Sequence, residues 1–361
     1  MVTYSDLQSE FQELSMKLRQ SVKLDHLFAI TDHNAVLQHA KFSVPARKEG
    51  YTVDDNARAL VFAVKAKAYW PTQPLSELQR KLISFLLLMQ AEDGKFHNLM
   101  DYSLRFIDNP TVGDHLGRAI WAAGSVINSD LPNGLKAPAR VIFDRALPWA
   151  RESSSPRTMA YACLGLCERF QVDAKDPNLR VNIASLADSL VDLYNANHGT
   201  DWKWFENTIS YDNARLPQAL LLAYQSLGAD EYLKVAQETF RFLQEQTTIE
   251  GKFVPIGSWG WYARDKERAL YDQQPLEAGT MVEAAAIGYK ITGSEVYERA
   301  LREALGWFFG LNTKSVNVYD EATGACHDGI TEVGLNENQG SESTISLLLA
   351  AATFLECVTK G

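Results

Sequence analysis

The hydrophobic positions of this chain fall into two alternating kinds of stretch. Six runs are nearly apolar on every side, over residues 59–68, 119–127, 161–167, 216–224, 276–289 and 344–355. Six others carry an apolar stripe at helical spacing with charge opposite. In 294–311, Val296, Tyr297, Ala300, Leu301, Ala304, Leu305 and Phe308 share one face, while Glu295, Glu298, Arg299, Arg302 and Glu303 share the other. The same pattern covers 5–19, 75–90, 138–151, 178–194 and 231–246. A helix apolar all round must be covered on both sides, whereas a one-sided helix covers something and faces water. The alternation therefore predicts an all-α, single-domain (α/α)6 toroid over residues 1–361, with six inner helices wrapped by six outer ones.

Each inner run follows a polar head, and two of the heads are identical: Asp55-Asn56-Ala57-Arg58 and Asp212-Asn213-Ala214-Arg215. Weaker relatives begin at Asp114, Arg157, Asp272 and Glu337, so successive heads lie 43 to 65 residues apart, room for two helices and two connections. Because inner and outer helices alternate and run antiparallel, all six heads are expected at one mouth of the ring. Connections feeding that mouth carry Thr31-Asp32-His33, Tyr51 to Asp54, Asp201 to Glu206, Ser258-Trp259-Gly260-Trp261 and Cys326-His327-Asp328-Gly329. The opposite connections, 70–74, 130–138 and 292–294, are short and rich in Pro, Gly or Asn, as reversals require.

The rim gathers ten carboxylates: Asp54, Asp55, Asp114, Glu206, Asp212, Asp272, Glu277, Asp328, Glu337 and Glu342. Acetal hydrolysis needs one carboxyl protonated and one ionised, and crowding pushes neighbouring pKa values apart. Helix capping is the plainer account of Asp55, Asp212 and Asp272. It does not account for Asp54 beside Asp55, or for Glu206 within Trp202-Lys203-Trp204-Phe205-Glu206. Arg58, Arg118, Arg157 and Arg215 sit early in their helices, where the dipole disfavours cations, and so require anionic partners. Those partners are either neighbouring acids or a bound uronate, sugar phosphate or phosphate.

Trp202, Trp204, Trp259, Trp261, Tyr51 and Tyr211 offer flat faces suited to a pyranose ring, with Gln273, Gln274 and Asn338 as amides for its hydroxyls. Trp121 and Trp307 fall within helical stripes and read as core. His33, His115 and His327 also fall near the mouth, and the pair His115 and His327 is what a proton-shuttling epimerase would use.

The charge balance narrows the partners. With 22% charged residues and a net charge of −10, the chain offers no basic surface for nucleic acid or an anionic membrane. Residues 1–17 lack the basic head and apolar stretch of a secretory signal, and no segment reads as a membrane span, so a cytoplasmic location is expected. The four cysteines read as packed core thiols. No metal-ligand spacing, phosphate-binding glycine loop or Gly-x-Ser-x-Gly elbow is present, so neither metal nor cofactor is expected.

Six hairpins with acids at the inner-helix starts resemble the six-hairpin glycosidase superfamily, which includes glucoamylase-like and unsaturated-glucuronyl hydrolases and the N-acylglucosamine 2-epimerases. Gly50 to Leu60, Asp114 to Trp121, Tyr271 to Ala278 and Asn336 to Thr344 further resemble a bacterial family of toroid proteins found alone or joined to glycosyltransferases. That resemblance implies the toroid and a carbohydrate setting, with a functional link to a glycosyltransferase. The strand-helix alternation of a Rossmann-type transferase is absent from the sequence pattern.

The expected activity is that of an inverting glycoside hydrolase, or a phosphorylase of the same geometry, acting on a short oligosaccharide. A wide mouth suits the carboxyl separation of roughly 6.5–9.5 Å that inversion needs. Asp54 or Asp55 with Glu206 are the leading acid and base, with Asp272 and Glu337 in reserve. The remaining rim residues, Asp114, Asp212, Asp328 and Glu342 among them, are assigned to substrate binding. The alternatives are a sugar epimerase or isomerase and a non-catalytic sugar-binding module.

Overall fold

The two hydrophobic patterns sort onto two rings of helices in the computed structural model. It describes residues 4–360, with side chains described over 12–359. Met1 to Thr3 and Gly361, the ends of the predicted domain, lie outside the described residues. The inner ring comprises α3 (Val53–Ala66), α5 (Asp114–Asn128), α7 (Pro156–Val172), α9 (Arg215–Leu227), α11 (Pro275–Thr292) and α13 (Ser341–Lys360). Each packs on the next and α13 returns to α3, which closes the circle. Outside them lie α1 (Tyr4–Ser21), α4 (Leu75–Met89), α6 (Asn133–Arg151), α8 (Pro177–Asn197), α10 (Asp230–Thr247) and α12 (Glu295–Trp307), while α2 (Asp25–Ala29) is a short turn between rings. This is the predicted (α/α)6 toroid. α13 is long and apolar enough to cross a membrane by composition, but here it is an inner helix covered by its neighbours.

Several inner helices start earlier than their apolar runs, because the polar heads are themselves helical. Thr52 caps α3: its hydroxyl accepts the Asp55 N–H at 3.1 Å and donates to the Asp55 carboxylate at 2.8 Å. Asp55 is therefore a first-turn residue and not the N-cap. Asp212 and Asp272 also lie ahead of their helices without capping them, since the cap positions are Ala214 and Gln274. Pro138 falls inside α6 rather than at its start.

Connections differ at the two ends. At the back, Gly228 and Gly293 close α9 and α11 in the left-handed region, at φ +75° and +66°, which favours glycine. At the front, the six two-stranded antiparallel pairings stiffen the outer-to-inner connections, such as Tyr51–Thr52 with Leu99–Met100 and Thr208–Ile209 with Tyr262–Ala263. One front connection is an exception: α6 passes to α7 through residues 152–155 alone.

α5 and α7 approach backbone to backbone through Gly117, Gly124 and Gly165. A Cβ on Gly165 would strike the Ile120 carbonyl, one on Gly124 the Gly165 carbonyl, and one on Gly117 would lie 2.7 Å from the Thr158 oxygen. Gly165→Ala must part the two helices and is expected to lose about 1–3 kcal/mol in urea unfolding. Gly134→Ala on α6, where nothing lies within 4 Å, should be neutral or gain up to about 1 kcal/mol.

Candidate functional site

The front ends of the inner helices carry their charges inward, and four arginines organise them. Arg118 on α5 donates to Asp54 on α3 and, at 3.2 Å, to Asp212 ahead of α9. Tyr161 on α7 donates to the same Asp212. Arg58 on α3 donates to Glu342 on α13 at 2.9 Å and lies 3.4 Å from Asp55. Arg215 grips Glu283 on α11 through two nitrogens at 3.1 and 3.2 Å, and Gln218 at 2.7 Å. Arg157 on α7 donates to Glu206 at 2.8 Å, Ser210 at 2.9 Å and the Tyr211 carbonyl at 2.6 Å. Three of these guanidinium groups also rest on aromatic faces, Arg118 at 4.7 Å from the Tyr161 centroid, Arg157 at 4.9 Å from that of Tyr211 and Arg215 at 4.8 Å from that of Trp121.

This network sets the carboxyl groups apart. Burial alone would raise Asp54, but the Arg118 and Arg58 charges outweigh it and hold the group below the usual carboxylate range. Asp212 is lowered in the same way, burial being overcome by Arg215, Arg118 and Arg58. Burial pushes Asp55 up to about 6 despite Arg58, and the Glu342 charge adds to the rise. Glu277 is pushed up to about 7 by burial and by Asp212, against the pull of its bonds from Asn213 and from the Asp212 N–H. The two raised carboxyls are both interior and both engaged.

Partly open to solvent are Asp54, Glu206 and Glu342, with side chains 28%, 29% and 41% exposed, and each is held by an arginine. Asp114 is half-buried and accepts from three hydroxyls, those of Ser155 (2.7 Å), Thr158 (2.9 Å) and Tyr211. His115 is buried next to it in sequence, its Nε2 has no hydrogen-bond partner, and its proximity adds to the lowering of Asp54. Asp272 and Gln274 are half-buried ahead of α11, Glu337 and His33 are exposed, and Trp261 lies against Tyr211 with centroids 6.4 Å apart. Trp259 stands free, 84% exposed. His327 bonds the Asn336 carbonyl at 3.1 Å through Nδ1. Asp328 accepts from Gly340 and Ser343, and Asn338 accepts the Phe42 N–H, so these two tie loops to the start of α13. Tyr51 is buried and donates to Asp32, and burial with that bond raises its pKa.

Several expected substrate contacts lie inside the wall. Trp202 and Trp204 are buried: Trp202 packs edge-on against Phe242 and Tyr262 and donates to the Glu206 carbonyl, and Trp204 packs on Phe205. They brace the loop that presents Glu206 instead of offering sugar-stacking faces. Gln273 is fully buried, accepting from Trp307 and donating to Leu270 and Thr313. Arg58, Arg215 and Asp212 are likewise interior and mutually neutralised, so the pairing of these arginines is with neighbouring acids. Asp55, a leading acid-base candidate, is 4% exposed. Tyr161 and Glu283 join the layer without a motif in the sequence that singles them out. The one usable signal is Glu283 itself, an acid in the middle of the apolar inner run 276–289 that has to meet a cation.

No protein-family model matches this sequence. No curated protein matches it either. Solved structures share its architecture. A cellobiose 2-epimerase from Bacillus thermoamylovorans is similar with a TM-score of 0.75 at 9% identity, over 96% of this chain and 99% of that one. A D-mannose isomerase has a TM-score of 0.69 at 15% identity, over 99% and 98%. A GH76 α-mannanase from Bacteroides thetaiotaomicron has a TM-score of 0.64 at 11% identity, over 97% and 95%. The chain thus has the (α/α)6 toroid fold that these structures share.

Two outcomes follow from the ionic layer. Arg118→Met takes the ion-pair partner from Asp54 and leaves the buried Asp212 with Arg215 and Tyr161 alone, and should cost about 3–5 kcal/mol of unfolding free energy. Asp55 stays protonated in the fold up to about pH 6 but ionises near 3.8 when unfolded. The folded state therefore holds the extra proton between those values, and stability falls as pH rises through that window. Asp55→Asn removes this slope. Relative to wild type, the variant should gain on the order of 2–3 kcal/mol between pH 3.5 and pH 7, read by denaturant titration.

Proposed function

We propose that the protein is a carbohydrate-active enzyme whose front mouth binds an uncharged sugar and moves a proton on it, an epimerase or isomerase with His115 as base. The observation that carries this reading is the buried His115 with its unpartnered Nε2 beside the ionised Asp54. A buried ring nitrogen without a protein partner is unsatisfied until a ligand or water supplies one, and a neutral imidazole nitrogen can take a proton from a carbon next to a carbonyl. The ionised Asp54 favours the imidazolium that forms once the proton is taken. His327, on the loop leading into α13, is another imidazole at the front of the ring and the candidate for returning the proton. Likeness to a cellobiose 2-epimerase and a D-mannose isomerase over nearly the whole chain supports this setting.

The same geometry weakens the hydrolase expectation. A glycosidase needs a reachable carboxyl kept protonated. Here the reachable Asp54, Glu206 and Glu342 are bound to arginines, while the raised Asp55 and Glu277 are interior. Hydrolysis remains as a second reading on one observation: Asp272 is half-buried at the mouth and its side chain makes no hydrogen bond among the described residues. Since the arginines are already paired, an uncharged substrate fits better than a uronate or phosphate.

The readings separate in deuterium oxide. Incubation with D-mannose, D-glucose or cellobiose should place solvent deuterium on the carbon beside the carbonyl, followed by proton NMR, and His115→Asn should slow that exchange at least 100-fold. Reducing-sugar release from oligosaccharides without deuterium uptake, lost in Asp272→Asn but kept in His115→Asn, would replace this reading with hydrolysis.

A further inference from the structure

The ring is hollow at its other end. The back halves of all six inner helices line a cavity of about 580 Å³, a size typical of small-molecule sites. Its floor is the underside of the arginine layer: Trp121, Gln218 and Glu283, all in contact with Arg215. Its rim carries exposed amides at Gln171 and Gln225, so the cavity opens to solvent.

The lining mixes donors and acceptors while leaving little charge. Lys65 is paired with Glu356 at 3.0 Å, Glu283 is neutralised by Arg215, and Lys290 and Glu168 are the remaining opposite charges. Six helix C-termini converge here, and their partial negative charge disfavours an anion. Thr353, only 6% exposed, lines the cavity with a buried hydroxyl that has no partner. A buried donor of this kind is satisfied by whatever fills the space.

We infer that this cavity is a second binding site, for an uncharged polyhydroxylated molecule of mono- or disaccharide size. Amides and carboxylates meet hydroxyl groups, Leu222 and Ile287 supply apolar contacts, and the balanced charge leaves no grip for a phosphate or uronate. The inference rests on the back cavity alone and does not depend on the chemistry of the mouth.

The test uses the whole chain with cellobiose and D-mannose as probes, followed by calorimetry and by crystals soaked in the same sugars. Expected are density inside the back cavity and a binding event weakened at least tenfold by Thr353→Val and abolished by Leu222→Trp, which fills the cavity. Both variants should keep the wild-type circular dichroism, and Asp54→Asn at the mouth should leave this event in place. Glucose 6-phosphate and glucuronate should not compete. Sugar density confined to the mouth, binding untouched by Leu222→Trp, or equal competition by the two anions would overturn the proposal. Should Leu222→Trp misfold, Thr353→Val carries the same decision.

Discussion

Buried guanidinium groups hold this ring in register. Arg58, Arg118, Arg157 and Arg215 are all 4% exposed or less, and an unpaired charge at such depth is strongly destabilising. Each therefore dictates where an acid from another hairpin must stand. Arg118 ties α3 and α5 to the segment before α9, Arg58 ties α3 to α13, and Arg215 ties α9 to α11. The apolar sides of the inner helices fit one another in many ways, but these pairs fit in one. The layer also divides the ring into a front mouth and a back cavity.

The architecture was legible because its signal is periodic: apolar runs alternating with one-sided stripes fix the two rings and the end at which the heads gather. Which head residues face solvent was not legible. Asp54 and Asp55 are neighbours in sequence, yet one is partly open with a lowered pKa and the other is interior with a raised one, a difference set by Arg118 from a distant hairpin. Trp202 and Trp204 misled for a related reason. An aromatic pair in a polar loop looks like a ligand surface until Phe242 and Tyr262 close over it. The arginines were readable as cations in need of partners, and long-range pairing alone decided which partners.

The mouth and the cavity share a boundary of residues that belong to both. Glu283 lines the cavity and holds Arg215, which lies 3.7 Å from Asp212, and Asp212 holds Arg118, the partner of Asp54. The cavity floor and the charged front ends of the inner helices are two faces of one ionic layer. Its polar character also explains why the centre of an otherwise apolar ring is not filled by aliphatic side chains.

The rim of the mouth is uneven. Most front connections are long and stiffened by paired strands, but α6 reaches α7 in only four residues, 152–155. That turn is too short to fold over Asp114 and Arg157, and Tyr211 from the next connection covers them instead, its ring 4.9 Å from the Arg157 guanidinium and its hydroxyl donating to Asp114. The brevity of a single turn thus hands the shielding of one hairpin's charges to its neighbour, so a change at Tyr211 would be felt on two hairpins at once.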